Sequence, residues 1–268
     1  MSAPTETFQI PLEVAEAYEA MFVPSIFAEW APETLAAAGV GPGTRLLDVA
    51  CGTGIVARTA VDLVRSSGSV TGVDLNEAML TVARRVRPEI DWQQGDVAAL
   101  PFDDDAFDAV TCQMAMMFFP DRRRAFAEMG RVTSPGGAVV ITVPAALDDQ
   151  PAYRMFVDIA ARHAGSDARA LLGTYWNCGD LAGLTADATA AGLEVVDVRT
   201  HEGTSRFESS DAYVATEVEG SPLAERLDEV AYAAIRAAVR SEMDQYVTPD
   251  GRYEVPLVGH VATARTAR

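Results

Sequence analysis

Three acidic positions set beside glycines are where this sequence could do chemistry. They are Asp48 ahead of Gly52 and Gly54 in RLLDVACGTG, Asp74 at the end of SVTGVD, and Asp96 after Gly95 in QQGDV. Glycines at 52 and 54 remove side chains that would keep a ligand from backbone amides, and the next segment opens a helix, whose N-terminus favours polar groups. A carboxylate at a strand end can accept from two neighbouring hydroxyls, the pattern a ribose offers. Asp48 would repel the oxygens of a pyrophosphate and welcome an ammonium. The pattern points to a ligand with a free ribose and an amino-acid tail rather than to a diphosphate.

Those residues need strands to carry them. Leu46, Leu47 and Val49 fit a strand buried on both faces, and residues 55–64 fit the helix after it. Strand, glycine turn and helix make the nucleotide-binding corner of a doubly wound α/β sheet. The same corner also satisfies a dinucleotide pattern: Gly52, Gly54 and Ala57 match GxGxxA, and Asp74 lies twenty positions beyond Gly54. Against a dehydrogenase stand Asp48, Asp96 and the absence of any lysine. That absence excludes a tyrosine and lysine reductase pair, a P-loop lysine and a pyridoxal Schiff base. Further strands are expected at 69–74, 91–94, within 100–112, and at 138–143, 193–200 and 255–264, with helices between them.

The run LLDVACGTG, then GVDLN (72–76), QQGDVAALPFDDDAFDAV (93–110) and PGGAVVIT (135–142), resembles class I S-adenosylmethionine-dependent methyltransferases. It is most similar to the ubiquinone and menaquinone biosynthesis type, methyltransferase type 11, over about residues 40 to 145. The resemblance implies an α/β, Rossmann-like, doubly wound, mostly parallel seven-stranded sheet with helical lid insertions. The implied layout is a single domain over 1–268, with a helical lid at 1–38, a cofactor core at 40–145, and acceptor-side insertions at 146–180 and 209–246. One position departs from the family: Ala50 holds the first glycine of the acid-x-Gly-x-Gly-x-Gly signature, which is mild unless that residue needs a positive φ.

The cofactor implied is S-adenosyl-L-methionine, with S-adenosyl-L-homocysteine as product. The resemblance places Asp48, Ala50, Gly52, Thr53 and Gly54 in its binding turn, with Asp48 toward the ammonium of the amino-acid tail, and Asp74 at the ribose. Leu75, Met79, Gly95, Asp96 and Val97 are assigned to the adenine. Tyr18 and Phe22, in a helical stretch over 11–38 that Pro24 divides, are assigned to a lid, and Gln113 to the methionine moiety. Taken without its neighbours, Asp74 also fits the N-cap of a helix over 76–86.

After the fourth strand the chain reads QMAMMFFPD, without the Asn or Asp, two prolines and aromatic of enzymes that methylate adenine or amide nitrogen, so that chemistry is disfavoured. Met114, Met117 and Phe118, with Tyr153, Phe156, Tyr175 and Trp176 from the first insertion, are candidate acceptor contacts. Each also fits plain core packing. A phenol or an enolisable carbon calls for a base. Of His163, His201 and His260, only His163 lies in an insertion, and it is the catalytic candidate. Asp103, Asp104 and Asp105 read as a solvated turn, and no metal is expected. The expected activity is methyl transfer to an oxygen of a hydrophobic, aromatic or polyketide-like small molecule. The alternatives are carbon methylation of a quinone-type precursor and a cofactor-binding scaffold, such as a cyclase, that moves no methyl.

Composition bounds the rest. With 268 residues, 49% of them hydrophobic, the chain can bury one large α/β core. A net charge of −18 opposes nucleic acid and anionic membrane surfaces alike. Three cysteines without CxxC spacing fit a reduced, cytoplasmic protein. The first ten residues lack the features of a signal peptide, and no apolar run spans a bilayer. The partner expected is a hydrophobic small molecule, and a homodimer stays open.

Overall fold

The computed structural model describes residues 9–221 and 223–267. Seven strands form one sheet: β1 (Arg45–Val49), β2 (Ser69–Asp74), β3 (Asp91–Gln94), β4 (Phe107–Gln113), β5 (Thr133–Pro144), β6 (Glu194–Phe207) and β7 (Tyr253–Arg265). Their spatial order is 3-2-1-4-5-7-6. The first five pair in parallel, and β7 runs antiparallel to both β5 and β6. This is the doubly wound, mostly parallel sheet expected.

Among the described residues ten α-helices surround it: α1 (Leu12–Ala17), α2 (Trp30–Ala38), α3 (Ile55–Val64), α4 (Glu77–Val86), α5 (Arg122–Val132), α6 (Pro151–Ala164), α7 (Ser166–Gly173), α8 (Leu181–Ala190), α9 (Ser210–Glu219) and α10 (Glu229–Glu242). Strand alternation divides the core. Leu46 joins a cluster with α2, α3 and α4 on one face of the sheet, whereas Leu47 and Val49 face α5 and α8 on the other. Caps fix where the helices begin. Asn76 accepts from the amides of Ala78 and Met79 to start α4, and Asp121 accepts from Arg124 to start α5.

Two features differ from the sequence reading. First, β6 and β7 are longer than expected. β5 pairs with β7 only as far as Pro144 opposite Gly259, and beyond that point β6 and β7 continue as a two-stranded ribbon to Phe207 opposite Tyr253. The ribbon overshoots the carboxyl ends of the parallel strands and carries Phe207, Tyr253, Val255 and Leu257 into a third core with α6, α7, α9 and α10. Both helical insertions therefore share one roof. Second, the stretch expected as two helices divided at Pro24 is α1, a ten-residue π-helical segment over Tyr18–Phe27, and then α2. Pro24 lies inside the π segment. Its missing N–H and its ring are incompatible with regular α winding, and the wider turn accommodates both. Among the described residues, no helix is long and apolar enough to cross a membrane.

Candidate functional site

The turn after β1 is built on left-handed backbone at three alternate residues: Ala50 (φ 52°), Gly52 (φ 56°) and Gly54 (φ 91°). The first glycine of the signature is thus needed for its φ, and Ala50 holds that conformation under strain. The two glycines do different work. A Cβ on Gly54 would lie 2.1 Å from the Trp92 ring, so Gly54 makes room for a tryptophan from β3 rather than for a ligand. A Cβ on Gly52 would sit 3.6 Å from the Tyr18 ring and hydroxyl, an ordinary contact with the segment that covers the turn.

Asp48 is not where the sequence reading put it. It is 1% exposed, and its oxygens accept from the Thr111 hydroxyl at 3.1 Å and the Ala57 amide at 3.1 Å. Gly54, the N-cap of α3, has no side chain to offer, so Asp48 supplies the acceptor for the first turn from below. Burial pushes its carboxyl up to about 7. The expected contact of Asp48 with a ligand ammonium is therefore corrected: this residue holds the turn, and the argument against a diphosphate cannot run through its charge.

Asp74 ends β2 beside the turn. Its Oδ2 accepts from the Gly52 amide at 2.8 Å and its Oδ1 from the Asn76 amide at 2.8 Å, while the Gly95 amide donates to its backbone carbonyl at 3.0 Å. Burial raises its pKa. It does not cap α4, since Asn76 does. Leu75 is exposed and Met79 half-buried beyond it. Asp96 is exposed, accepting from Ala98 at 2.8 Å, and Val97 packs inward on the sheet core.

The lid lies across this corner. Tyr18 stacks on Phe22 (5.7 Å between centroids) and on Phe27 (5.3 Å), and burial together with the Asp74 charge raises its pKa. Arg58 of α3 donates twice to Glu19, at 2.8 and 3.1 Å, clamping the π segment down. Gln113 is a lid anchor and not a ligand contact: its Nε2 donates to the Phe27 carbonyl and its Oε1 accepts from Thr34, so both ends of the amide are engaged.

The acceptor candidates separate. Phe118 meets Tyr175 edge-on at 5.9 Å, Trp176 lies 4.9 Å from Tyr153, and Met114 (φ 55°) packs on the roof core. Met117 is buried against the sheet. Tyr153 and Phe156 are interior to the roof: the Tyr153 hydroxyl bonds Ser205 at 2.8 Å, and Phe156 lies 5.3 Å from Tyr213. His163 is exposed in the last turn of α6, past the buried face formed by Tyr153, Phe156, Val157 and Ala160, and it has no place in the crevice.

Residues 47–141 match the methyltransferase domain family model. Among curated relatives, a demethylmenaquinone methyltransferase of Renibacterium salmoninarum is 42% identical over 112 residues, covering 42% of this chain and 46% of the relative. Another of that name from Lysinibacillus sphaericus is 36% identical over 128 residues, covering 47% and 54%.

The matched segment of the methyltransferase domain begins within β1 and ends within β5. The alignments span about half of those relatives. Solved structures extend the fold over nearly all of the chain. YcgJ of Bacillus subtilis superposes with a TM-score of 0.61 at 20% identity, covering 89% of this chain and 98% of that one. The cyclase SpnF gives 0.56 at 24%, covering 90% and 80%. Phosphoethanolamine N-methyltransferase 2 of Haemonchus contortus, in complex with S-adenosyl-L-methionine, gives 0.59 at 20%, covering 96% and 58%.

Outside the matched methyltransferase segment lies a residue the sequence reading missed. Glu217 stands on α9 among Tyr213, Val214, Thr216 and Val218, all buried. Its surroundings push its carboxyl up to about 8 by desolvation alone, with no cation acting on it. Burial, and after it the Glu217 charge, raises the pKa of Tyr153, Tyr175 and Tyr213. The available signal was an acid one helical turn after Tyr213, between Thr216 and Val218. Only the roof's tertiary packing gives that signal meaning.

Proposed function

We propose that the crevice at the carboxyl ends of β1 and β2 binds S-adenosyl-L-methionine. We propose further that the protein, working in the cytoplasm, transfers a methyl to an oxygen of a hydrophobic aromatic or polyketide-like small molecule. The observation that carries the cofactor reading is Asp74. Its two oxygens accept from the amides of Gly52 and Asn76, with the Leu75 amide beside them, and a carboxylate so held still has an acceptor site for a ribose hydroxyl. In the same turn the Thr53 hydroxyl is buried without a partner among the described residues, a polar group that a bound ligand would satisfy. These residues fit the cofactor.

When bound, the cofactor supplies a methyl already activated on a sulfonium, so the protein has to orient and exclude water rather than generate a nucleophile. Tyr18 and Phe22 cover the corner from the lid side. Phe118, Tyr175 and Met114 offer an apolar wall between the sheet and the roof. The wall's aromatic character supports an aromatic acceptor.

A second reading, carbon methylation of a quinone-type ring, is favoured by the names of the curated relatives, whose matched segments cover less than half of this chain. Turnover with a methyl-labelled cofactor and a panel of phenols, naphthols and hydroquinones, followed by NMR of the product, separates the two. An O-methyl ether is expected, and a ring-bound methyl would replace it with the second reading. Turnover of acceptor without release of S-adenosyl-L-homocysteine would overturn both in favour of a scaffold.

A further inference from the structure

We infer that the roof end of the crevice is a receptor for an ionisable hydroxyl, with Glu217 as the group that accepts its proton. The inference rests on the methyl-transfer reading and deepens it by naming the acceptor's class, a phenol or an enol. Glu217 makes no hydrogen bond to any described residue, and its charge is felt by three tyrosines: Tyr153 of α6, Tyr175 of the segment after α7, and Tyr213 one turn before it on its own helix. Among the described residues no arginine or histidine pairs with it. A carboxylate left in such surroundings is costly, and packing alone would be better served by leucine or glutamine. One turn earlier, on the same face of α9, Tyr213 is fully buried and its hydroxyl also lacks a partner.

The two unpaired groups define the ligand. A tyrosine hydroxyl donates and a carboxylate accepts, and an incoming hydroxyl oxygen can answer both at once. An ammonium would engage the carboxylate and leave the Tyr213 proton without an acceptor. The receptor is also continuous with the cofactor corner. Tyr18 lies over Gly52 and stacks on Phe22, and Phe22 packs onto Gly220, where an added Cβ would come within 1.8 Å of its ring. Gly220 follows Glu217 by three residues, and its carbonyl accepts from the Tyr175 hydroxyl at 3.3 Å.

On binding, the O–H bond of the ligand breaks with its electron pair kept on the oxygen, and the proton bonds to a carboxylate oxygen of Glu217. An oxyanion and a neutral glutamic acid result. Burial holds the carboxyl near 8, within reach of phenols, which ionise near the tyrosine value of about 10.

The test is calorimetry on the full chain at about pH 9, where a carboxyl near 8 is ionised and an unsubstituted phenol is not, with phenol, anisole and benzylamine, with and without S-adenosyl-L-homocysteine. The phenol is expected to bind about tenfold or more tightly than its ether, with its absorbance moving to that of the phenolate. Glu217→Gln is expected to abolish both the preference and the spectral shift while leaving S-adenosyl-L-homocysteine binding unchanged. Difference infrared spectroscopy of the unmodified chain reads the same event as a neutral carboxyl appearing on phenol binding, so the inference stays testable if the variant fails to fold. Equal binding of the ether, preference for benzylamine, no binding of any probe, or a preference surviving in Glu217→Gln would each overturn it. Loss of S-adenosyl-L-homocysteine binding by the unmodified chain would instead strike the cofactor reading, leaving the phenol preference to be scored separately.

Discussion

The crevice has two walls that solve opposite problems. On the sheet side, polar groups are tied down by the backbone around them: Asp48 by Thr111 and Ala57, Asp74 by Gly52 and Asn76, and Gly95 by the Asp74 carbonyl. On the roof side, rings from four elements converge, with Tyr213 5.2 to 6.0 Å from Tyr153, Phe156, Phe207 and Tyr253, while Glu217 and the Tyr213 hydroxyl stay unpaired. A wall fixed by its backbone bonds, with the Thr53 hydroxyl left open for a ligand, can hold an invariant ligand in a fixed pose. A wall with unspent polar groups in an apolar lining is where selectivity for a variable acceptor belongs.

The sharpest way to break this contrast is to add one methyl to each wall. In Gly54→Ala the new Cβ meets the Trp92 ring, which is wedged under the turn, and the left-handed backbone penalises any side chain. A loss of about 2 to 5 kcal/mol in denaturant unfolding is expected. In Gly220→Ala the obstacle is the tip of Phe22, a half-buried lid side chain that can swing aside, and about 1 kcal/mol is expected. Equal costs would mean that the turn is no more rigid than the lid.

Asp48 offers a test by pH. Its carboxyl ionises ordinarily near 3.8 and in the fold at about 7, so the fold favours the protonated form. Its contribution to stability is full below 3.8, falls as pH rises through about 7, and is level above that. Asp48→Asn keeps an acceptor for Ala57 and cannot ionise. Its stability relative to the unmodified chain should rise across that window, on the order of a few kcal/mol, as read from melts at stepped pH. A gap independent of pH would show that Asp48 is solvated after all.

How much of this could be read beforehand follows the same division. Strand, turn and helix are contiguous in sequence, so Gly52, Asp74 and Gly95 could be placed by spacing alone. Asp48 was misplaced because a strand residue's face depends on what packs beneath it, here the first turn of α3. Gln113 was misplaced for a like reason: its partners Phe27 and Thr34 are some eighty positions away. His163 was chosen for its segment, yet the helix turns it outward. Glu217 was invisible among 39 acidic residues until α6, α9 and the ribbon of β6 and β7 came together around it.

The smallest effect expected is a gain. Ala50 occupies a left-handed conformation that glycine adopts freely, and Ala50→Gly should stabilise the turn by about 0.5 to 1 kcal/mol after the added freedom of the unfolded chain is counted. Differential scanning calorimetry reads it as a raised Tm. A lowered Tm would mean that the methyl's packing on the sheet core outweighs the backbone strain.

The central claim is that Asp74 and the Gly52 turn hold a ribose-bearing cofactor with an amino-acid tail, and calorimetric titration of S-adenosyl-L-homocysteine against the unmodified chain and Asp74→Ala tests it most directly. Binding by the unmodified chain, weakened by about 1 to 3 kcal/mol in the variant and with no binding of NAD to either, is the expected result. Unchanged affinity in Asp74→Ala, or preferential binding of NAD, would contradict it.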